Sequence, residues 1–132
     1  MRWMMAIPLA LAGFVSAAEA APFRAENRVT VTPAELGFDV RGDAGFGARG
    51  MWCAAADYAR HALGAAGTER IYIAEARTPG LGQRGPVRFT LDAGTLPQSE
   101  VFIVGSSLST LGANLSVDHA YSFCADAKVI NR

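Results

Sequence analysis

Two cysteines, Cys53 and Cys124, constrain the fold of this chain more strongly than any other pair of residues. They are the only cysteines among its 132 residues, and they lie 71 positions apart. A bond between them would tie together distant parts of a small domain, in which one covalent cross-link contributes a large share of the stability. Whether two such cysteines pair depends on the redox compartment, so the N-terminal residues are the next evidence.

The N-terminal segment, residues 1–20, has the pattern of a secretory signal peptide. Arg2 gives it a positive start, residues 3–15 are apolar and uncharged, and residues 18–20 (AEA) match a small-x-small cleavage site. The apolar run is shorter than the about 20 residues that are needed to span a bilayer. We therefore predict that this segment is cleaved, and that residues 21–132 form a single small domain in the periplasm or outside the cell.

Charge and composition restrict the classes of function. The 12 basic and 12 acidic residues balance, and the loss of Arg2 and Glu19 with the signal peptide leaves the balance unchanged. Binding of nucleic acid needs a basic surface that displaces counterions, so we expect no nucleic-acid partner. No second long apolar run follows the signal peptide, so we expect no membrane span after cleavage. Arginine is strongly preferred over lysine, and alanine and glycine are abundant, which indicates a bacterial source.

A helix is predicted over residues 51–63, because this run contains neither glycine nor proline and Gly64 follows it as a natural stop. Short segments with alternating or continuous apolar residues, typical of strands, make up most of the remaining domain. The predicted strands are 27–32, 38–41, 70–76, 86–92, 100–105 and 114–124, with a further edge strand through Val129 and Ile130. The order β-β-α-β-β-β-β with short connections predicts an α+β fold, in which one helix packs on an antiparallel sheet of about five to six strands.

In an oxidising compartment the two cysteines of a small domain pair, so the first hypothesis is a Cys53–Cys124 disulfide. On this hypothesis the protein is a non-catalytic exported domain, either a binding module or an envelope accessory factor of unknown ligand. A related hypothesis is a small secreted inhibitor of an enzyme. An inhibitor would need an exposed rigid loop, for which residues 77–85 and 105–112 are the candidates.

The alternative hypothesis makes Cys53 a nucleophile. A cysteine in the first turn of a helix lies near the positive end of the helix dipole, which favours the thiolate, and His119 on a later strand is the candidate base. The order of loop, helix with cysteine and strand with histidine resembles that of the NlpC/P60 family of cell-wall cysteine peptidases over about residues 50–120. Residues 51–54 (MWCA) stand where that family has an Asp-Cys-Ser-Gly-like entry. The resemblance implies a papain-like cysteine hydrolase that acts on cell wall.

A metal site is a further reading of the same helix. Cys53, Asp57 and His61 follow one another at steps of four residues and offer three types of ligand. The first and the last lie two helical turns apart, about 12 Å, which is too far for one ion. We therefore expect no metal site and no cofactor here, and a solvated helix face on which Asp57 pairs with His61 or Arg60.

Two other segments are candidates for ligand or partner binding. The glycine-rich stretch 42–50 (GDAGFGARG) precedes the helix, but it matches neither a P-loop nor a dinucleotide-binding fingerprint, so we predict a connector. Three arginines, Arg77, Arg84 and Arg88, carry the only charges between Glu75 and Asp92. We predict that they form a surface for an anionic envelope polymer or an acidic protein partner.

Overall fold

The computed structural model of the protein describes residues 21–77, 85–96 and 107–129, and the fold is that of these residues. The predicted signal peptide, residues 1–20, lies outside them. So does the predicted strand 100–105.

A six-stranded antiparallel sheet forms the framework of the described part. Its strands are β1 (Phe23–Arg24), β2 (Thr30–Ala34), β3 (Gly37–Arg41), β4 (Arg70–Glu75), β5 (Val87–Thr90) and β6 (Asn114–Ser116). Their order across the sheet is β1-β2-β3-β5-β4-β6. Apolar and polar residues alternate along most strands, which places one face against the core: Phe38 and Val40 of β3 are buried, whereas Arg41 is exposed. The predicted α+β class and the antiparallel pairing are confirmed.

The first helix, α1, runs over Ala48–His61 and is buried on both sides. One side packs on the sheet, where Trp52 meets Phe89 with 5.0 Å between ring centroids. The other side packs against α2 (Val117–Ser122). Several small alanines allow both neighbours to approach the helix closely, and the buried ones are Ala54, Ala55, Ala56 and Ala59.

The predicted solvated face of α1 is therefore wrong at two of its residues. The exposed fraction of Cys53 is 1% and that of Asp57 is 5%, because α2 and the residues around it cover this side of the helix. The predicted pairing is confirmed, since Asp57 Oδ1 lies 2.5 Å from Nδ1 of His61.

The C-terminal part of the described chain differs from the prediction. Residues 114–124 are a strand only as far as Ser116, after which α2 begins. Val129, predicted to lie in an edge strand, is the last residue of α3 (Ala125–Val129), and Ile130 lies outside the described residues. Ser116 caps α2 by accepting a hydrogen bond from the backbone N–H of His119 at 3.1 Å. Every second residue of this stretch is apolar or aromatic, which is the pattern of a strand. A helix brings a different set to its buried side, namely Val117, Ala120 and Cys124, and tertiary packing favours the helix.

The Cys53–Cys124 disulfide is present and buried. Cys53 belongs to α1 and Cys124 lies between α2 and α3, with 4.9 Å between the two Cα atoms. The bond fixes the junction of the two short helices against the long one. Cross-linking residues that are 71 positions apart contributes about 4 kcal/mol in the chain-entropy model.

Candidate functional site

A cleft of about 630 Å³ opens beside the first turn of α1. One wall is the turn formed by residues 26–29, and the other is the end of β3 with part of the loop that follows it, residues 41, 42 and 44–46. Ala127 of α3 completes the lining. Concave sites of this size commonly hold small molecules, which makes the cleft the candidate functional site.

The loop that forms one wall is the glycine-rich stretch of the sequence, and we call residues 42–47 the glycine loop. Gly42 enters it with a φ of 105°, in a region that side chains disfavour. The carboxylate of Asp43 accepts a hydrogen bond from the backbone N–H of Gly45 at 2.8 Å, which closes the loop on itself. The predicted connector is therefore an ordered wall of the cleft, and the last residues of the stretch belong to α1.

Gly50, in the first turn of α1, holds the two walls together. A Cβ atom at this position would lie 1.9 Å from the carbonyl oxygen of Asp43, so only glycine lets the loop lie on the helix. The carbonyl oxygen of Gly50 accepts a hydrogen bond from Nδ2 of Asn27 at 2.9 Å, which ties the opposite wall to the same turn.

The opposite wall is a tight turn built around Asn27. This side chain is 6% exposed, and its Oδ1 accepts a hydrogen bond from the backbone N–H of Val29 at 3.3 Å. Arg28 has a φ of 68°, a left-handed conformation that is uncommon for arginine. A backbone hydrogen bond of 2.8 Å from Arg28 N–H to the carbonyl of Ala25 maintains it.

Asp57 anchors this turn to the middle of α1. Its Oδ2 accepts a hydrogen bond from the backbone N–H of Glu26 at 2.7 Å, and its Oδ1 is bound by His61. Both oxygens of a buried carboxylate are therefore occupied, which a buried charge requires. Asp57 acts as a structural link between the cleft and the core.

The charges that face the cleft are unequal. Arg28 and Arg41 are exposed, and neither has an ion-pair or side-chain hydrogen-bond partner within the described residues. The carboxylate of Glu26 is engaged, since it accepts a hydrogen bond of 2.5 Å from the hydroxyl of Tyr121 and lies 3.8 Å from the ammonium of Lys128. Among the described residues, the two arginines of the cleft consequently lack an ionic partner, whereas its acidic side chain has one.

The hydrogen bond to Glu26 also acts on Tyr121. It is the main cause that raises the pKa of the Tyr121 hydroxyl above its ordinary value, and partial burial of the hydroxyl adds to the effect. The phenol therefore remains a neutral donor throughout the physiological pH range.

The residues proposed for cysteine catalysis do not form a catalytic pair. The sulfur of Cys53 is bonded to Cys124, so no thiolate is present. His119 is not on a strand but on α2, where it is exposed and its ring lies 5.5 Å from that of Phe123. A nucleophile needs a free thiolate with a base in hydrogen-bond reach, and the disulfide removes the first of these.

The arginines of the predicted binding surface have contacts of their own. Arg88 forms a two-point ion pair with Asp39, with an Nε–Oδ1 distance of 2.8 Å, and lies 3.4 Å from Glu75. The guanidinium of Arg77 contacts the sulfur of Met51 at 2.9 Å. Arg84 lies outside the described residues, so the three-arginine surface stays a prediction.

The predicted strand 27–32 is wrong at its start, because Asn27 and Arg28 lie in a turn and β2 begins only at Thr30. No binding role was predicted for these two residues or for Arg41. The one local signal was the polar run of residues 26–28 between apolar Ala25 and Val29, which is a turn composition. That these residues face the glycine loop depends on strand register, which composition does not reveal.

Searches of protein-family models, of curated proteins and of solved structures found no match to this chain. Within residues 21–77, 85–96 and 107–129, no group of three or more His, Cys, Asp or Glu side chains is arranged to hold a metal ion. Across the same described ranges, no helix has the length and apolar character that crossing a membrane requires. Function must therefore be argued from the geometry of the cleft.

Replacing Gly50 with alanine should destabilise the protein by about 1–3 kcal/mol, the usual cost of overpacking. The added methyl group would collide with the Asp43 carbonyl, and this cost exceeds the about 1 kcal/mol that alanine gains in a helix. Urea unfolding measures the difference. Gly85→Ala is the matched control, because nothing lies within 4 Å of a Cβ atom there. Equal stability of the two variants would contradict the packing of the glycine loop on α1.

Replacing Tyr121 with phenylalanine should cost about 0.5–1 kcal/mol at pH 7, the low end for a hydrogen bond because this one is open to solvent. Since folding raises the pKa of Tyr121, the stabilisation is complete below about pH 10 and is lost as the pH rises through the folded-state pKa.

Urea unfolding of both proteins at pH 7, 9 and 11 checks this sign. The control is Tyr72→Phe, because the Tyr72 hydroxyl has no hydrogen-bond partner in the described part of the chain. A difference between wild type and Tyr121→Phe that grows towards pH 11 would refute the assignment.

Proposed function

We propose that this protein is a non-catalytic, exported binding domain that is stabilised by its disulfide, and that the cleft beside the glycine loop is its ligand site. The observation that carries the proposal is a concave site with two arginines that have no ion-pair partner among the described residues, beside an acidic residue whose carboxylate is already engaged by Tyr121 and Lys128. Such a site offers recognition groups that the domain does not use for its own stability.

The walls of the cleft are held in place before any ligand arrives. Gly50 and Asn27 fix the two main walls to α1, and the disulfide fixes the end of α2, from which the short α3 continues. A site that is already ordered loses less conformational entropy on binding, so more of the contact energy is available for affinity. This rigidity favours a binding role for the cleft.

Binding is favoured over catalysis by the side chains that line the cleft. Asn27 and Glu26 spend their polar atoms on structural hydrogen bonds. The remaining charged groups are arginines, which do not give up a proton at physiological pH. No histidine, cysteine or serine lines the cleft within the described residues, so it lacks the usual nucleophiles and bases.

Two features support a location in the bacterial periplasm or outside the cell. Disulfides persist in oxidising compartments, and Cys53 and Cys124 form one here. Residues 1–20 have the composition of a signal peptide, and their removal leaves residues 21–132 as one domain. An envelope polymer, a protein or a small molecule that reaches this compartment is the partner to seek.

The proposal predicts that ligand binding changes the NMR chemical shifts of the backbone amides that line the cleft. The ¹⁵N-labelled protein, purified after export, is titrated with a mixture of sugars, amino acids, nucleotides and carboxylic acids. Chemical-shift changes are expected at Arg28, Arg41 and Gly45. The proposal fails if changes occur only on other surfaces, or if no compound produces any.

A variant that fills the cleft sharpens the test. Ala127→Trp places a large side chain in the lining, so it should abolish the shift changes. Ala125→Trp is the matched control, because Ala125 is exposed on the same helix and does not line the cleft. Loss of binding in the control as well would mean that α3 tolerates no substitution, and binding by Ala127→Trp would place the site elsewhere.

A further inference from the structure

We infer that the ligand of the cleft is a small organic anion, whose carboxylate or similar oxyanion is held by Arg28 and Arg41 while an apolar part lies against the rest of the lining. This inference rests on the proposed function, since it names the chemical class of ligand for the same cleft.

The two arginines both lie near one end of the β2–β3 hairpin. The register of the hairpin pairs Thr30 with Arg41, so β3 ends beside the start of β2. Arg28 lies two residues before Thr30 in the turn that leads into β2, and both arginines line the cleft. Guanidinium groups bind planar oxyanions through parallel hydrogen bonds, so a pair of them at one opening is suited to a carboxylate.

These arginines differ from most others in the described part of the protein. Elsewhere the guanidinium groups already have a neighbour: Arg49 pairs with Asp126, Arg60 with Asp118, Arg70 with Asn114 and Arg88 with Asp39. Arg24, Arg28, Arg41 and Arg77 have no carboxylate or amide partner within the described residues, although Arg77 contacts the sulfur of Met51, and of these four only Arg28 and Arg41 line the cleft. The charge that an anion would need is therefore concentrated there.

The backbone of Arg28 adds a second argument. Its left-handed conformation costs about 1 kcal/mol for a residue with a side chain, and glycine or asparagine would adopt it with less strain. The turn itself therefore does not require arginine. Arg28 lines the cleft, so its guanidinium is available to a ligand there.

The size and the remaining lining of the cleft favour an organic ligand over a bare ion. About 630 Å³ is far more than one oxyanion fills and lies within the usual range of small-molecule sites. Val29, Phe46 and Ala127 supply apolar surface within the cleft. Glu26 would repel an anion, but its carboxylate is bound by Tyr121 and lies near Lys128.

Three probes separate the parts of this inference in amide chemical-shift titrations of the exported protein. Benzoate carries both the carboxylate and an apolar ring, benzamide lacks the charge and acetate lacks the ring. Benzoate should bind in the cleft at least about tenfold more tightly than benzamide, which corresponds to one lost charged contact of about 1.4 kcal/mol. It should bind at least about threefold more tightly than acetate, because the ring buries apolar surface.

Variants assign the effect to the two arginines. Arg28→Gln and Arg41→Gln should each weaken benzoate binding about tenfold. Arg24→Gln is the matched control, since it removes the same charge from exposed β1 outside the cleft, and its affinity should stay within about twofold. Arg28→Gly removes the backbone strain along with the guanidinium, so it should fold at least as stably as the wild type and still lose affinity.

The outcomes distinguish this inference from the proposed function. If benzamide binds in the cleft as tightly as benzoate, or if Arg24→Gln weakens benzoate as much as Arg28→Gln, the anion site is refuted while the cleft remains a binding site. Equal affinity for acetate and benzoate would refute the apolar part. If neither these probes nor the mixture of sugars, amino acids, nucleotides and carboxylic acids shifts the amide signals of the cleft, both the anion site and the proposed function are refuted.

Discussion

The two short helices α2 and α3 depend on the disulfide between Cys53 and Cys124 for their position. The helices α2 and α3 have only six and five residues, lengths at which a helix is unstable by itself in water. Packing of α2 against α1 and the covalent bond at the α2–α3 junction together keep them in place. A contribution of about 4 kcal/mol is large beside the 5–15 kcal/mol that typically separates folded from unfolded domains. The packing of α2 also buries the side of α1 that faces away from the sheet.

The cleft depends on this arrangement through α1. The first turn of the helix supports both walls, through the absence of a side chain at Gly50 and through the hydrogen bond from Asn27. Further along the same helix, the buried carboxylate of Asp57 accepts a hydrogen bond from the turn that carries Arg28. Tyr121 of α2 donates a hydrogen bond to the carboxylate of Glu26 and so engages one of its oxygens. The core and the cleft thus depend on the same helix, whereas Arg28 and Arg41 line the cleft without an ion-pair partner in the described part of the chain.

Part of this architecture could be predicted from the sequence because it rests on local patterns. The disulfide followed from two cysteines and a signal-peptide composition, and α1 followed from a run without glycine or proline. The α2 region was assigned wrongly, because Val117 and its apolar neighbours satisfy both the strand and the helix period, and burial against α1 decided the outcome. The partner of Arg88 was missed because Asp39 is 49 residues away and meets it only across paired strands. That Arg28 and Arg41 line one cleft was missed for the same reason, since it depends on hairpin register and on a left-handed turn.

The state of the two cysteines tests the account most directly. The protein is purified after export, unfolded in denaturant without a reductant and treated with a thiol-alkylating reagent. Mass spectrometry then counts the alkylated cysteines. The account predicts no alkylation before reduction and two alkylated cysteines after it, since Cys53 and Cys124 are bonded to each other. Two alkylations without reductant would contradict the disulfide and, with it, the attachment of α2 and α3 to the helix that supports the cleft.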